Sequence, residues 1–214
     1  MLSNKKKIRG WKRHIRKIEQ WKRRVMDLDM EHLQTSHRDY AKLWIHPFYA
    51  IPRRNPPAWY NALLLEAMME VYANWNKTLL ATGEPYYLKL WIFDPHFIRS
   101  QIVAAYKDGL HFYDQAFDAP KIEKPFPFHK YPKLKDKLQL FDWRLYVDCD
   151  TYAESDLTDG LRRGWMSEKA AASIRQKAYK TTVIQLQNGE TDTLYRVRAG
   201  DVWVGSLKSE DKPE

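Results

Sequence analysis

The sequence predicts an α+β fold, an antiparallel sheet built from hairpins and packed against one buried central helix. Three observations carry this. Residues 57–82 are apolar nearly all round at helical spacing. After them the pattern changes to β-branched and aromatic runs broken by Asp108-Gly109 and Asn188-Gly189, pairs that favour hairpin turns. Before them lies a long basic amphipathic segment, residues 1–28.

At 214 residues the chain suits a single α+β domain spanning 1–214, long enough to bury a substantial core. Aromatics make up 14%, with nine Trp and thirteen Tyr. Rings in that number fill a core, and they also serve as stacking platforms and interface anchors. The one cysteine, Cys149, excludes an internal disulfide and favours a reducing, cytoplasmic setting. The basic start is not followed by an unbroken apolar run, as a secretory signal would be. No stretch has the length and apolarity of a membrane span. Oligomeric state is not legible.

In the first segment Ile8, Trp11, Ile15, Ile18, Trp21, Val25 and Leu28 recur in steps of three and four, so the spacing predicts a helix over Lys5–Leu28. At 100° per residue these seven fall within an arc of about 160°. The same stretch holds eleven Lys and Arg against two acids, Glu19 and Asp27, in a chain whose net charge is +9, so the remainder is neutral. Most of the cations, among them Lys12, Arg13, Arg16, Lys17, Arg23 and Arg24, project opposite the apolar arc. Closely spaced cations gain affinity for nucleic acid by releasing condensed counterions. The plain alternative is an apolar arc packed on the body and a merely solvated basic arc. The helix is expected beside the body or projecting as an arm.

His46–Pro57 holds four prolines and reads as an extended ordered loop. Asn55 before Pro56-Pro57 is a good helix start, and Gly83 with Pro85 a good stop. Glu66 and Glu70 stand one turn apart on the helix between them, a spacing found far more often in salt-bridged surfaces than in catalytic dyads.

Tyr86–Phe93 reads as a strand ended by Asp94-Pro95, and Gln101–Tyr106 and Leu110–Phe117 as a hairpin around Asp108-Gly109. In Ala119–Lys137 four prolines argue for a long extended loop. Its lysines, including Lys124 and Lys130, alternate with Phe126, Phe128 and Tyr131. Cations interleaved with rings suit sequence-tolerant binding of single strands, charge for the backbone and rings for the bases. Rings that pin the loop to the body, with lysines keeping it soluble, are the alternative.

Leu138–Asp150 is the clearest strand and ends in Leu-Tyr-Val-Asp-Cys-Asp. Two carboxylates at a strand end offer hard oxygen ligands to Mg²⁺ or Mn²⁺. Over about seven residues the segment resembles the Asp-x-Asp strand end of nucleotide-sugar glycosyltransferases. That resemblance implies a metal-bound sugar nucleotide held by Asp148 and Asp150, whereas hairpins stand upstream where those enzymes have βα units. The alternative is an acidic patch that pairs with lysines. Beyond it Ser167 caps a helix running to about Tyr179, Thr181–Gln187 and Thr191–Arg198 flank Asn188-Gly189 as a hairpin, and Asp201–Val204 is a final short strand.

The leading functional expectation is a non-enzymatic nucleic-acid-binding protein, for RNA or single strands, using the first helix and the Lys/aromatic loop. The second is a protein-interaction module, such as an immunity or antitoxin-like inhibitor facing an acidic partner. The third is a divalent-metal-dependent enzyme built on Asp148 and Asp150. No cofactor is called for by the first two.

Overall fold

The computed structural model describes residues 11–35, 41–44, 58–106 and 117–208. In chain order the elements are α1 (Trp11–Val25), α2 (Met30–Thr35), β1 (Ala41–Trp44), α3 (Ala58–Leu80), β2 (Tyr86–Asp94) and β3 (Gln101–Tyr106). Then follow α4 (Lys135–Leu138), β4 (Phe141–Ala153), α5 (Glu154–Arg162), α6 (Glu168–Lys177), β5 (Ala178–Gln185) and β6 (Thr191–Leu207). The strand order is β1-β3-β2-β6-β4, with β5 also pairing with β6. The pairs β1–β3, β2–β3 and β5–β6 are antiparallel. The protein is α+β. Its chain divides into two compact units, a larger one up to Tyr146 that resumes at Val202, and a smaller one, Val147–Asp201.

In the larger unit α3 is the hub. Tyr60, Leu64, Leu65, Met68, Val71, Tyr72 and Leu79 are 0–2% exposed and fall within an arc of about 140°. Glu70, Ala73, Lys77 and Leu80 on the other side are exposed, so the helix is buried on one broad face and not all round. The sheet beneath it follows the two-residue period of a strand. Leu88, Leu90, Ile92, Ile102 and Ala104 face the α3 core, while Trp91, Phe93, Val103 and Ala105 join Val202 in a second cluster on the other face. Register agrees, since Leu90 sits opposite Ile102 and Leu88 opposite Ala104. Tyr72 ties helix to sheet: its hydroxyl donates to Leu88 O at 3.0 Å and accepts from Leu207 N at 3.3 Å.

Several boundaries differ from expectation, each for a local reason. The basic helix ends at Val25 and not at Leu28; its predicted first residues, 5–10, lie outside the described residues. Asn74 and Trp75 of α3 donate to the carbonyls of Met26 and Val25, and Asp29 Oδ1 accepts from His32 N to start α2. Side-chain groups thus satisfy the end of one helix and the beginning of the next. Tyr86–Phe93 and Gln101–Tyr106 are strands, and they pair with each other through a 3₁₀ turn at Phe97–Arg99. The hairpin expected around Asp108-Gly109 falls on residues outside the described ones. The proline-rich loop contains 3₁₀ turns at Phe128–Lys130 and Pro132–Leu134, followed by α4.

In the smaller unit the strand predicted to end at Asp150 runs on to Ala153, and α5, which no helical period in the sequence announces, follows it directly. Ser167 caps α6, accepting from Ala170 N at 3.2 Å. The last hairpin turns through three residues and not through Asn188-Gly189 alone. Gly189 N donates to Leu186 O, Leu186 N donates to Glu190 O, and Gly189 takes φ +84°. The turn is thus closed by a left-handed residue, a conformation that glycine adopts without steric cost. The expected short strand at Asp201–Val204 is the far end of β6.

Candidate nucleic-acid interface

Helix α1 turns Ile18 and Trp21, both 3% exposed, into the core beside α3. The opposite arc carries Lys12, Arg13, Arg16, Arg23 and Arg24, all exposed, and Lys17, half-buried. None of these six makes an ion pair with a described residue.

Cations that face the body are treated differently. Lys22 Nζ lies 2.8 Å from Glu70 and 3.1 Å from Glu19, and its hydrogen bond to Glu70 raises its pKa. Lys137 of α4 lies 2.8 Å from Glu66, which raises its pKa likewise. Glu66 and Glu70 are therefore a salt-bridged pair, one turn apart on α3. They draw α1 and the end of the lysine-rich segment to the same helix. Lys130 pairs with Asp94. His14, whose ring meets Tyr60 edge-on at 6.0 Å, has its pKa lowered by burial and by Lys17 and Arg13.

The rings of the Lys/aromatic loop point inward. Phe126 is 5% exposed and stacks on Trp143 at 4.1 Å; Tyr131 is 8% exposed and lies against Phe97. Phe128 is half-buried on the same core. Burial carries the Tyr131 hydroxyl well above the usual phenol range. Lys124 and Lys130 are exposed, so the structure separates the charges of this loop from its rings.

Asp148 is buried at 4% exposure and Asp150 is half-buried, both inside β4. Among the described residues no group of three or more His, Cys, Asp or Glu is arranged to hold a metal ion.

Sequence spacing did not reveal the polar cluster of the smaller unit, because its bonded partners are distant in the chain: Glu154 and Arg175 are 21 residues apart, Ser155 and Asp192 are 37. Arg175 donates through Nε and Nη2 to Glu154, a bidentate pair that Tyr195 joins and that holds the Glu154 carboxyl below its ordinary value. Asp192 Oδ1 and Oδ2 accept from the backbone and hydroxyl of Ser155, lowering the Asp192 pKa. Ala153 precedes α5 with no capping side chain of its own, so Asp192 supplies the cap from β6. An open cleft of about 440 Å³ runs along α5 and the β5–β6 turn. Its acids are engaged: Glu154 with Arg175, Asp159 with Arg162 and Arg163, Glu190 with Asn188, and Asp192 with Ser155. The cleft is thus a seam of structural pairs.

Among the described residues no helix is long and apolar enough to cross a membrane. Comparison with family models, curated proteins and solved structures finds no match to this chain.

Proposed function

We propose that the protein is a non-enzymatic nucleic-acid-binding protein whose contact surface is the outer arc of α1. What supports this is the contrast between the two sides of that helix. Lys22, on the body side, is paired with carboxylates, as is Lys137 of α4, while the six outer cations have no ion-pair partner among the described residues. Cations that serve only the fold are expected to resemble Lys22; an unpaired row offers its full charge to phosphates.

The test changes Lys12, Arg13, Arg16 and Arg23 together to Gln and measures binding of a fluorescent mixed-sequence oligonucleotide across a salt series. The expected result is a large loss of affinity with a nearly unchanged melting temperature. The slope of log K against log salt should flatten by about 0.7–0.9 for each phosphate that is no longer neutralised. Salt-independent binding by the unmodified protein, or no binding, ends the proposal. A stoichiometric protein that co-purifies without nucleic acid would favour the interaction-module reading instead.

A further inference from the structure

Resting on the nucleic-acid reading above, we infer that the partner is a B-form double helix gripped by its two phosphate backbones, and not a single strand gripped by its bases. Two independent observations carry this.

The first concerns rings. Sequence-tolerant binding of single strands uses exposed aromatic faces beside the cations. In the larger unit, among residues whose side chains are described, every Phe, Tyr and Trp is buried or half-buried. Phe126 and Tyr131, the rings nearest in sequence to the loop lysines, spend their faces on Trp143 and Phe97. Bases have no platform there.

The second concerns the pattern of charge on α1. At 100° per residue its outer cations form two rows, Lys12-Arg16-Arg23 and Arg13-Lys17-Arg24. Each row steps by four and then seven residues, roughly 6 and 10 Å along the axis. The rows stand about 100° apart. Between them lies the uncharged, exposed Gln20. Two flanking rows match two lines of phosphate with a groove between; a single strand offers one line. A helix with its side chains is about 10–12 Å across, and the major groove of B-form DNA is about 12 Å wide. The deep, narrow major groove of A-form RNA does not admit it. Ile18 and Trp21 hold the opposite face against the body, so the outer arc is presented on a fixed support.

The test uses the full chain and three fluorescent 20-mers of one mixed sequence: duplex DNA, single-stranded DNA and duplex RNA. Anisotropy at fixed salt should give at least tenfold tighter binding to duplex DNA than to either of the others. Two triple variants, Lys12→Gln/Arg16→Gln/Arg23→Gln and Arg13→Gln/Lys17→Gln/Arg24→Gln, should each flatten the salt slope on duplex DNA, by up to about 2.7. Melting curves confirm that both variants remain folded. Equal or tighter binding of the single strand or of duplex RNA overturns this inference and leaves the nucleic-acid reading standing. So does a slope that only one row changes. Failure of all three probes to bind overturns both.

Discussion

Trp75 Nε1 of α3 donates to the carbonyl of Val25 at 3.0 Å, so the central helix closes the last turn of the basic helix. Asn74 Nδ2 does the same for Met26 at 2.9 Å. These bonds satisfy carbonyls that the end of a helix leaves without intrahelical partners. Trp75→Phe keeps a ring in the core but removes the donor, and is expected to cost about 1–3 kcal/mol. Asn74→Ala, at a half-buried position, isolates the hydrogen bond from packing and should cost about 1 kcal/mol. Urea unfolding reads both. An unchanged midpoint in the two variants would show that α1 ends where it does without help from α3.

Gly205 of β6 lies under the indole of Trp143. A Cβ at that position would stand 2.6 Å from the ring. The indole has little room to yield, because Phe126 stacks on it at 4.1 Å and its Nε1 donates to Leu138 O at 2.9 Å. Gly205→Ala should therefore destabilise by about 1–3 kcal/mol, the range for overpacking. In a Trp143→Leu background the same change should be close to neutral. Equal costs in the two backgrounds would show that the glycine is required for another reason.

Acid should loosen the smaller unit. Glu154 and Asp192 both have folded pKa values below their ordinary ones, held down by Arg175 and by Ser155 respectively. A depressed carboxylate contributes stability that is present above its unfolded pKa and lost as pH falls through the folded one. Melting temperature should thus fall on acidification below about pH 4.5, and Glu154→Gln and Asp192→Asn should each make that decline shallower while lowering the plateau at neutral pH. Parallel curves for wild type and variants would show that neither pair contributes to the acid response.

Elements with a sustained period were legible. The all-round apolarity of 57–82 marks α3 to within two residues, and Ser167 announces α6. Features settled by distant partners were not. Val25 ends α1 because of Trp75, fifty residues on, and α5 begins at Glu154 with a cap from Asp192. Neither partner leaves a trace in local spacing. The Asp-x-Asp pair looks like a strand end only if Asp150 is the last strand residue, yet the strand continues through Thr151–Ala153 before α5 starts. At the candidate interface the charge arc of α1 was readable from periodicity. The fate of the loop rings was not, because Phe126 and Tyr131 look the same in sequence whether they face solvent or Trp143 and Phe97.

That ambiguity can be put to a direct test at Phe126. The ring is 5% exposed, stacked on Trp143 and edge-on to Trp203 at 5.5 Å. Phe126→Leu removes the aromatic face while keeping a bulky apolar side chain, a swap that costs about 1–2 kcal/mol in a well-packed core. If the ring serves the fold, stability drops by that amount and nucleic-acid affinity and its salt slope stay where they were. A ring that stacks on a base would behave in the opposite way. Its loss would cost about 1–3 kcal/mol of binding, the usual range for a base on an aromatic platform, with the melting temperature unmoved. Lys124→Gln makes the matching comparison on the charged half of the loop, since an exposed lysine leaves stability nearly unchanged and lowers affinity only if a phosphate lies within its reach.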